Sequence, residues 1–280
     1  TGFNYQLFVN NSAPLTGGIY FFLPVFYIFL PNHLLFLCTF AFIFLIGLFS
    51  DLKIFVSAKK RFLKKLLIIL LFVFFSKLEV IPTKINFFDD LIKNTYWSYL
   101  FTTFCLMILI NGSNFTDGLN GLLLGYFCLI ILILFKLNLI EPIGFVEKNF
   151  FNFLIIILFI LILNVFNKLF LGDSGAYSIS FFIGFILIKI YNLNENISPY
   201  FIILLIWYPC FENLFSILRK LVKKKSVLKP DNQHLHQLIF IFIKKKIRIN
   251  NLSVNIISGL LINFFNFILL YAGSLEPYNT

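Results

Sequence analysis

Long apolar runs broken by short polar stretches set the pattern of this chain. The runs fall at approximately 19–31, 34–49, 62–76, 97–111, 119–135, 150–166, 175–191, 198–218 and 252–272. A helix needs about 20 apolar residues to cross a bilayer, within a range of roughly 17–25. The runs therefore predict an all-α, polytopic transmembrane helix bundle of about nine spans. The longest connection, roughly 219–251, leaves no room for a soluble domain, and no internal repeat is visible, so residues 1–280 read as one transmembrane domain. The chain opens inside a polar stretch and its only Met is Met107, so a further helix is expected ahead of residue 1, making about ten.

Composition supports the bilayer as the solvent. Hydrophobic residues make up 60% and charged residues only 12%, with a mean hydropathy of +0.93, whereas a soluble globular chain carries about 25% charge. The 41 Phe residues accompany abundant Ile, Asn and Lys, as AT-rich codons would produce, and no aromatic site is read from them. Cys38, Cys105, Cys128 and Cys210 each stand alone in an apolar segment. Without a CxxC spacing they suggest neither a metal centre nor a redox motif.

The net charge of +11 is a topology signal. Loops near 50–65, 111–121, 167–174 and 218–250 hold 17 of the 23 basic residues, and the alternate loops hold 6. Lys and Arg mark the cytoplasmic side, and the same charge attracts anionic lipid head groups. Membrane lipids are thus an expected partner. Nucleic acid is not, because the Lys clusters flank helices and lack an interleaved aromatic platform. Homodimerisation stays open.

The basic face also gathers acids. Asp51, Asp117, Asp173 and Asp231 come from four different loops on it, with Glu212 in a helix nearby. Asp89 and Asp90 fall in an opposite loop, where solvation explains them. Convergence of helix ends on one side is how bundles build sites.

Four stretches carry candidate chemistry. Ser50-Asp51-Leu52-Lys53, followed by Ser57-Ala58-Lys59-Lys60-Arg61, sets an acid beside cations, suited to a metal or a phosphate; a helix end with positive-inside anchors would look the same. Asn111-Gly112-Ser113-Asn114-Phe115-Thr116-Asp117-Gly118-Leu119-Asn120-Gly121 is polar and Gly-bearing between apolar runs, with Asn114 and Asp117 spaced to share one face. A plain turn uses the same residue types but does not need so many. Gly172-Asp173-Ser174-Gly175 opens a long helix, where N–H groups and the dipole favour a phosphate-bound metal; an Asp N-cap is the plain alternative. Pro230-Asp231-Asn232-Gln233-His234-Leu235-His236-Gln237 places His-x-His beside Asp under a Lys-rich segment. It fits phosphate contacts or acid–base roles. A zinc site would need more ligands than the sequence offers there, since His33 lies on the other side. Residues 238–251 alternate apolar and basic, as an interfacial helix would.

In this order the stretches resemble the polyprenyl-phosphate N-acetylhexosamine-1-phosphate transferase family, also called bacterial glycosyl transferase family 4. Its Thr-Pro-x-x-Gly-Gly-like start is matched loosely by Ala13-Pro14-Leu15-Thr16-Gly17-Gly18, and its acidic pair at Asp51. Its Asn-x-x-Asn-x-x-Asp-Gly-x-Asp/Asn-Gly is matched from Asn111 to Gly121, and its Gly-Asp-Ser-Gly at 172–175. Its Pro-Asp-x-x-His-Leu-His is matched at 230–236, preceded by Pro209, Glu212 and Arg219-Lys220. Ser50 replaces the first acid of the pair, Asn120 a frequent second Asp, and Gln237 a frequent third His; these departures are similar to the O-antigen-initiating branch.

The resemblance implies a Mg²⁺-dependent transfer of N-acetylhexosamine 1-phosphate from a UDP-N-acetylhexosamine to undecaprenyl phosphate, releasing UMP, on the cytoplasmic face of the bacterial inner membrane. It implies Asp173 as metal ligand. Asp51, Asp117, His234 and His236 become catalytic residues: Asp51 for the lipid phosphate, Asp117 with Asn114 for the nucleotide-sugar, the histidines for the diphosphate. Asn111, Asn114, Asn120, Arg61, Arg219 and Asp231 become substrate contacts. Two other readings stay open: a secondary transporter, and a catalytically impaired member acting as a scaffold, motivated by Ser50.

Overall fold

The computed structural model describes residues 13–29, 33–55, 57–80, 83–140, 148–194, 196–224, 226, 233–247 and 249–279. Among the described residues all regular structure is helical. In chain order the helices are α1 (Gly17–Phe29), α2 (Leu34–Asp51), α3 (Ala58–Ser76), α4 (Asn86–Ile92), α5 (Thr95–Thr116) and α6 (Leu122–Lys136). They continue as α7 (Phe150–Val165), α8 (Gly172–Leu193), α9 (Pro199–Leu205), α10 (Trp207–Val222), α11 (Leu235–Lys246) and α12 (Asn251–Gly273).

Every apolar run carries a helix, with one modification: the run at 198–218 breaks at Ile206 into α9 and α10, bent by 79°. By length and composition α2, α5, α8 and α12 can each cross a membrane, and the bent pair makes a fifth candidate. Helices α1, α6 and α7 are apolar but shorter. The chain is an all-helical, multi-pass membrane protein.

The bundle centres on α8, which is buried nearly along its whole length and packs on α1, α2 and α5. Its core is aromatic. Phe21, Phe36, Phe40, Phe181 and Phe182 interlock, with Phe21–Phe182 edge-on at 5.7 Å and Phe36–Phe181 stacked at 5.6 Å. Such contacts add about 0.5–1.5 kcal/mol each beyond area burial. Large apolar side chains such as Phe42, Phe75, Phe104 and Phe264 cover the outside, as a lipid solvent allows.

Helix α10 is inside out relative to a soluble helix. It buries Pro209, Glu212, Asn213, Ser216 and Lys220 at helical spacing and exposes Phe211, Leu214, Phe215, Leu218 and Leu221. A polar stripe turned inward is the pattern of a membrane helix facing a polar interior.

Helix ends sort into two sets. One holds the ends near residues 17, 51, 58, 116, 122, 165 and 172: Gly17 N–H donates to Phe170 C=O at 3.1 Å, and Gly121 N–H donates to Asn164 Oδ1 at 2.7 Å. The other holds Val80, Asn192, Ser198 and Pro277, joined by Val80 N–H to Thr102 Oγ1 at 3.1 Å and Ser198 N–H to Pro277 C=O at 3.0 Å. Asp51, Asp117 and Asp173 belong to the first set.

Candidate active site

Asp173 is the second residue of α8, where unpaired N–H groups and the helix dipole favour negative charge. Its Oδ2 receives Arg61 Nη1 at 2.5 Å and the Ser50 hydroxyl at 2.5 Å, and Arg61 also meets Ser50 Oγ. The carboxylate stays 13% exposed, so the pair is neither sealed nor free. Arg61 reaches it from the second turn of α3, four residues after Ser57 caps that helix.

Asp51, the last residue of α2, turns both oxygens onto α8. Oδ1 accepts the Asp173 N–H at 2.8 Å, and Oδ2 accepts the Ser174 N–H at 3.0 Å and the Ser174 hydroxyl at 2.7 Å. It is an N-cap supplied by another helix. Bonds to a charged acceptor are worth about 1.5–3 kcal/mol each, enough to fix how Asp173 is presented. Close approach here requires Gly172: its φ is +79°, and a Cβ would stand 2.7 Å from Asp51 Oδ2. The opening motif has a matching task. Phe170 N–H donates to Pro14 C=O at 2.9 Å and Gly18 N–H to Leu171 C=O at 3.0 Å, tying 14–18 to the segment before Asp173.

The last turns of α5 connect this cluster to a second one. Asn111 Oδ1 accepts Lys65 Nζ at 2.6 Å, and its own amide donates to Met107 C=O. Lys65 is 2% exposed and also lies 3.6 Å over the Tyr177 ring. Sequence reasoning missed Lys65. Its signal was the spacing: four residues after Arg61, it repeats the same face of α3 one turn deeper. From Asn111 to Asp117 the chain rises roughly 9 Å along the helix axis, passing Asn114, whose Oδ1 is buried with no hydrogen-bond partner. Asp117 follows as the α5 C-cap and is 5% exposed.

The second cluster is organised by Glu212, a residue the sequence placed nearby without a role. Glu212 Oε2 stands 3.0 Å from His234 Nδ1, and Oε1 accepts the Leu235 N–H at 2.8 Å. Oε1 is 3.9 Å from His236 Nδ1, too long for a hydrogen bond. The imidazoles of His234 and His236 stack at 5.6 Å, and Phe115 packs on His234 at 5.1 Å. Gln237 closes the start of α11, its Oε1 accepting the His234 N–H at 3.2 Å. Arg219 Nη1 donates to Gln233 C=O at 2.6 Å and Lys223 Nζ to Gln233 Oε1 at 2.9 Å, so these cations hold the segment entering the histidines. Burial holds His236 below its ordinary range, against the pull of Glu212. Its ring lies against Gly118, beside Asp117: a Cβ there would stand 2.6 Å from His236 Nε2.

Of the sequence-read residues, Asp51, Arg61 and Asp173 meet directly. Asn111, Asn114 and Asp117 share one helix end, and His236 abuts Gly118. Asn120 is committed elsewhere: its N–H donates to Asn255 Oδ1 at 2.7 Å and its amide to Asn167 Oδ1 at 3.3 Å. Asp231 lies outside the described residues. Among the described residues no group of three or more His, Cys, Asp or Glu converges as a metal cage.

The chain matches the model of glycosyl transferase family 4 over residues 33–191. It is 24% identical over 216 residues to a probable undecaprenyl-phosphate N-acetylglucosaminyl 1-phosphate transferase of Bacillus subtilis, covering 71% of this chain and 56% of that protein. It is 26% identical over 248 residues to the undecaprenyl-phosphate alpha-N-acetylglucosaminyl 1-phosphate transferase of Escherichia coli K12, covering 84% of this chain and 67% of the relative. The protein of that name in Thermotoga maritima is 26% identical over 268 residues, 93% of this chain and 80% of its own length. The chain thus spans little more than half of the Bacillus relative. The match from residue 33 to 191 takes in Asp51, Asp117 and Asp173 and covers more than half of the sequence, so the chain belongs to glycosyl transferase family 4.

Proposed function

We propose that this chain transfers N-acetylhexosamine 1-phosphate from a UDP-sugar to undecaprenyl phosphate, on the cytoplasmic face of a bacterial inner membrane crossed by about nine spans. An oxygen of the lipid phosphate attacks the sugar-bearing phosphorus of the donor. The bond to the other phosphate breaks, and UMP leaves with that electron pair. The product starts a lipid-linked glycan such as an O-antigen. The observation that carries this reading is the Asp173–Arg61 pair at the α8 N-terminus, capped by Asp51. It sets a partly exposed carboxylate beside a cation, the parts that hold a metal and phosphate oxygens. The names of the relatives point to the same class.

The residues present fit Mg²⁺. That ion takes one or two carboxylates and completes its shell with substrate phosphates and water, not with a protein cage. Asp173 would hold it, and the partly exposed carboxylate suits that use. Bound Mg²⁺ would neutralise developing charge on the diphosphate.

The chain's own residues do the positioning that phosphoryl transfer mainly demands. Arg61 brings positive charge to the donor phosphates, and buried Lys65 fixes Asn111 beside it. Asp117, Asn111 and Asn114 position the nucleotide-sugar, and the buried Asn114 Oδ1 is an acceptor with no hydrogen-bond partner of its own. Asp51 sets Asp173 and orients the lipid phosphate. His234 and His236 contact the diphosphate; both ring nitrogens of His236 lack hydrogen-bond partners, so they remain available. Asn120 and Arg219 act on the donor through the segments they hold, and Asp231 is a further proposed contact. The transporter reading loses ground because Asp51, Asp173 and Arg61 bind one another at helix ends.

The test is incorporation by the purified full chain in detergent with undecaprenyl phosphate, Mg²⁺ and a panel of UDP-sugars, the lipid product read by mass spectrometry. A sugar-phosphate adduct from at least one donor, with UMP in equal amount, is expected. No adduct from any UDP-sugar would overturn the reading.

A further inference from the structure

Between α5 and α6 the Asp117 turn has no helical ladder of its own, and side chains from elsewhere hold its backbone. Asn120 N–H donates to Asn255 Oδ1 at 2.7 Å and Gly121 N–H to Asn164 Oδ1 at 2.7 Å. Asn263 Nδ2 donates to Gly121 C=O at 2.9 Å, which also takes the Gly125 N–H. Asn255 and Asn263 come from α12 and Asn164 from α7, and all three are buried. Unpaired polar groups in such a place cost about 1–3 kcal/mol each.

Asn164 does one thing more. Its Nδ2 donates to Leu169 C=O at 3.1 Å, in the segment that runs into Gly172 and Asp173. The acceptor end of one amide therefore holds the Asp117 turn, and the donor end holds the approach to Asp173. Asn120 Nδ2 to Asn167 Oδ1, at 3.3 Å, joins the same two segments. Space filling does not call for an amide here: the run around Asn164 is otherwise apolar from Phe153 onward. Both ends of the amide are used, on backbone groups from two different turns.

We infer that Asn164 is a positioning residue whose single amide fixes the Asp117 turn relative to the Asp173 turn, with Asn255 and Asn263 steadying the first. The catalytic consequence rests on the proposed transfer reaction; the clamp itself does not. A shift of about 1 Å between two groups that handle one substrate costs on the order of 100-fold in rate.

The test uses the full chain purified in detergent, with two readouts. Hydrogen–deuterium exchange of peptides covering 117–123 and 166–173 reports the clamp without any substrate. Transfer from the UDP-sugar that the wild-type chain uses reports its consequence. Asn164→Leu, or Asn164→Ala if the leucine variant does not fold, should speed exchange in both peptides by about tenfold and slow transfer by about 100-fold. Asn164→Asp should stay within about tenfold of wild type, because a buried carboxyl remains neutral and keeps both an acceptor and a donor. Asn255→Leu should speed exchange in 117–123 alone. Unchanged exchange in Asn164→Leu, or Asn164→Asp behaving like the leucine variant, would overturn the clamp; unchanged transfer despite faster exchange would overturn its positioning role. A wild-type chain inactive with every donor, whose variants still show the expected exchange, would overturn the transfer reading and leave the clamp standing.

Discussion

Adding one methyl group at Gly118 tests whether His236 stands at the reacting centre. A Cβ at this position would lie 2.6 Å from His236 Nε2 and 3.1 Å from Cδ2, whereas ordinary contact begins at 3.4 Å, so the ring must retreat by about 0.8 Å. It has little room: His236 is 1% exposed, stacked on His234 and set against Glu212. Overpacking of this kind costs about 1–3 kcal/mol of stability. A displacement near 1 Å at a catalytic group costs on the order of 100-fold in rate. Gly118→Ala should therefore lower the melting temperature modestly in detergent and cut sugar-phosphate transfer by about 100-fold. The assay pairs lipid-product mass spectrometry with a thermal melt, so that loss of fold and loss of function separate. A double-mutant cycle sharpens it: in a His236→Ala background the added methyl has space, and Gly118→Ala should then cost little more. Turnover within threefold of wild type for Gly118→Ala, at unchanged stability, would refute the placement of His236 at the site.

Asp173→Asn keeps the shape at the α8 start and removes the charge; it should cut transfer by at least about 100-fold while the melting temperature holds, and near-normal Mg²⁺-dependent turnover would move the metal role to Asp117. Because burial keeps His236 neutral when folded while the unfolded chain protonates near the ordinary histidine pKa of about 6.5, the folded state binds fewer protons. Its stability should be full above that pH and fall as pH drops below it, by at most about 1.4 kcal/mol per unit for this one group; melts from pH 8 to 5.5 on wild type and His236→Gln check it, the variant showing the shallower slope. Cysteines at Lys53 and Lys93, both exposed, should label from opposite sides of the membrane in intact cells, with Lys53 inaccessible from outside; labelling of both from outside would reject the cytoplasmic site.

The helices were legible because the bilayer imposes a length rule that needs no partner. Each apolar run became a helix, four or five of them meeting that rule, and the polar stretches between them became the ends on which the acids sit. The break at Ile206 had one signal inside the run 198–218: Pro209 clashes with the carbonyl four residues before it, at Leu205, where α9 ends, and α9 and α10 then pack on different neighbours. The acids of the site were visible because an Asp at the end of an apolar run has few structural reasons to be there. Their pairing was less so: nothing in the spacing says that Arg61 meets Asp173 and not Asp51, which lies nearer in sequence. Lys65, Asn164 and Asn255 were missed for one shared reason. Each lies in or at the start of an apolar run with nothing in its spacing to name a partner, and the fold reveals the buried group it answers.

The three departures from the family pattern bear on whether the chain is a degenerate member, and each is occupied by a specific bond. Gln237 closes the turn that presents His234. Asn120 donates its side-chain amide to Asn167 Oδ1. Ser50 donates to Asp173 Oδ2 and meets the same guanidinium of Arg61. A drifting site loses partners, because nothing maintains geometry around a group that no longer acts, and buried polar atoms are then left unpaired at a cost. Here each replaced residue keeps a side-chain hydrogen bond to a neighbouring segment or its own turn. An acid at position 50 would set a second carboxylate against that of Asp173, with Arg61 divided between the two. The hydroxyl instead supplies a donor and leaves Arg61 to one acid, so Asp173 carries the full interaction with its cation. Serine at this position is thus matched to the Asp173–Arg61 pair, and that match favours the enzyme over the scaffold.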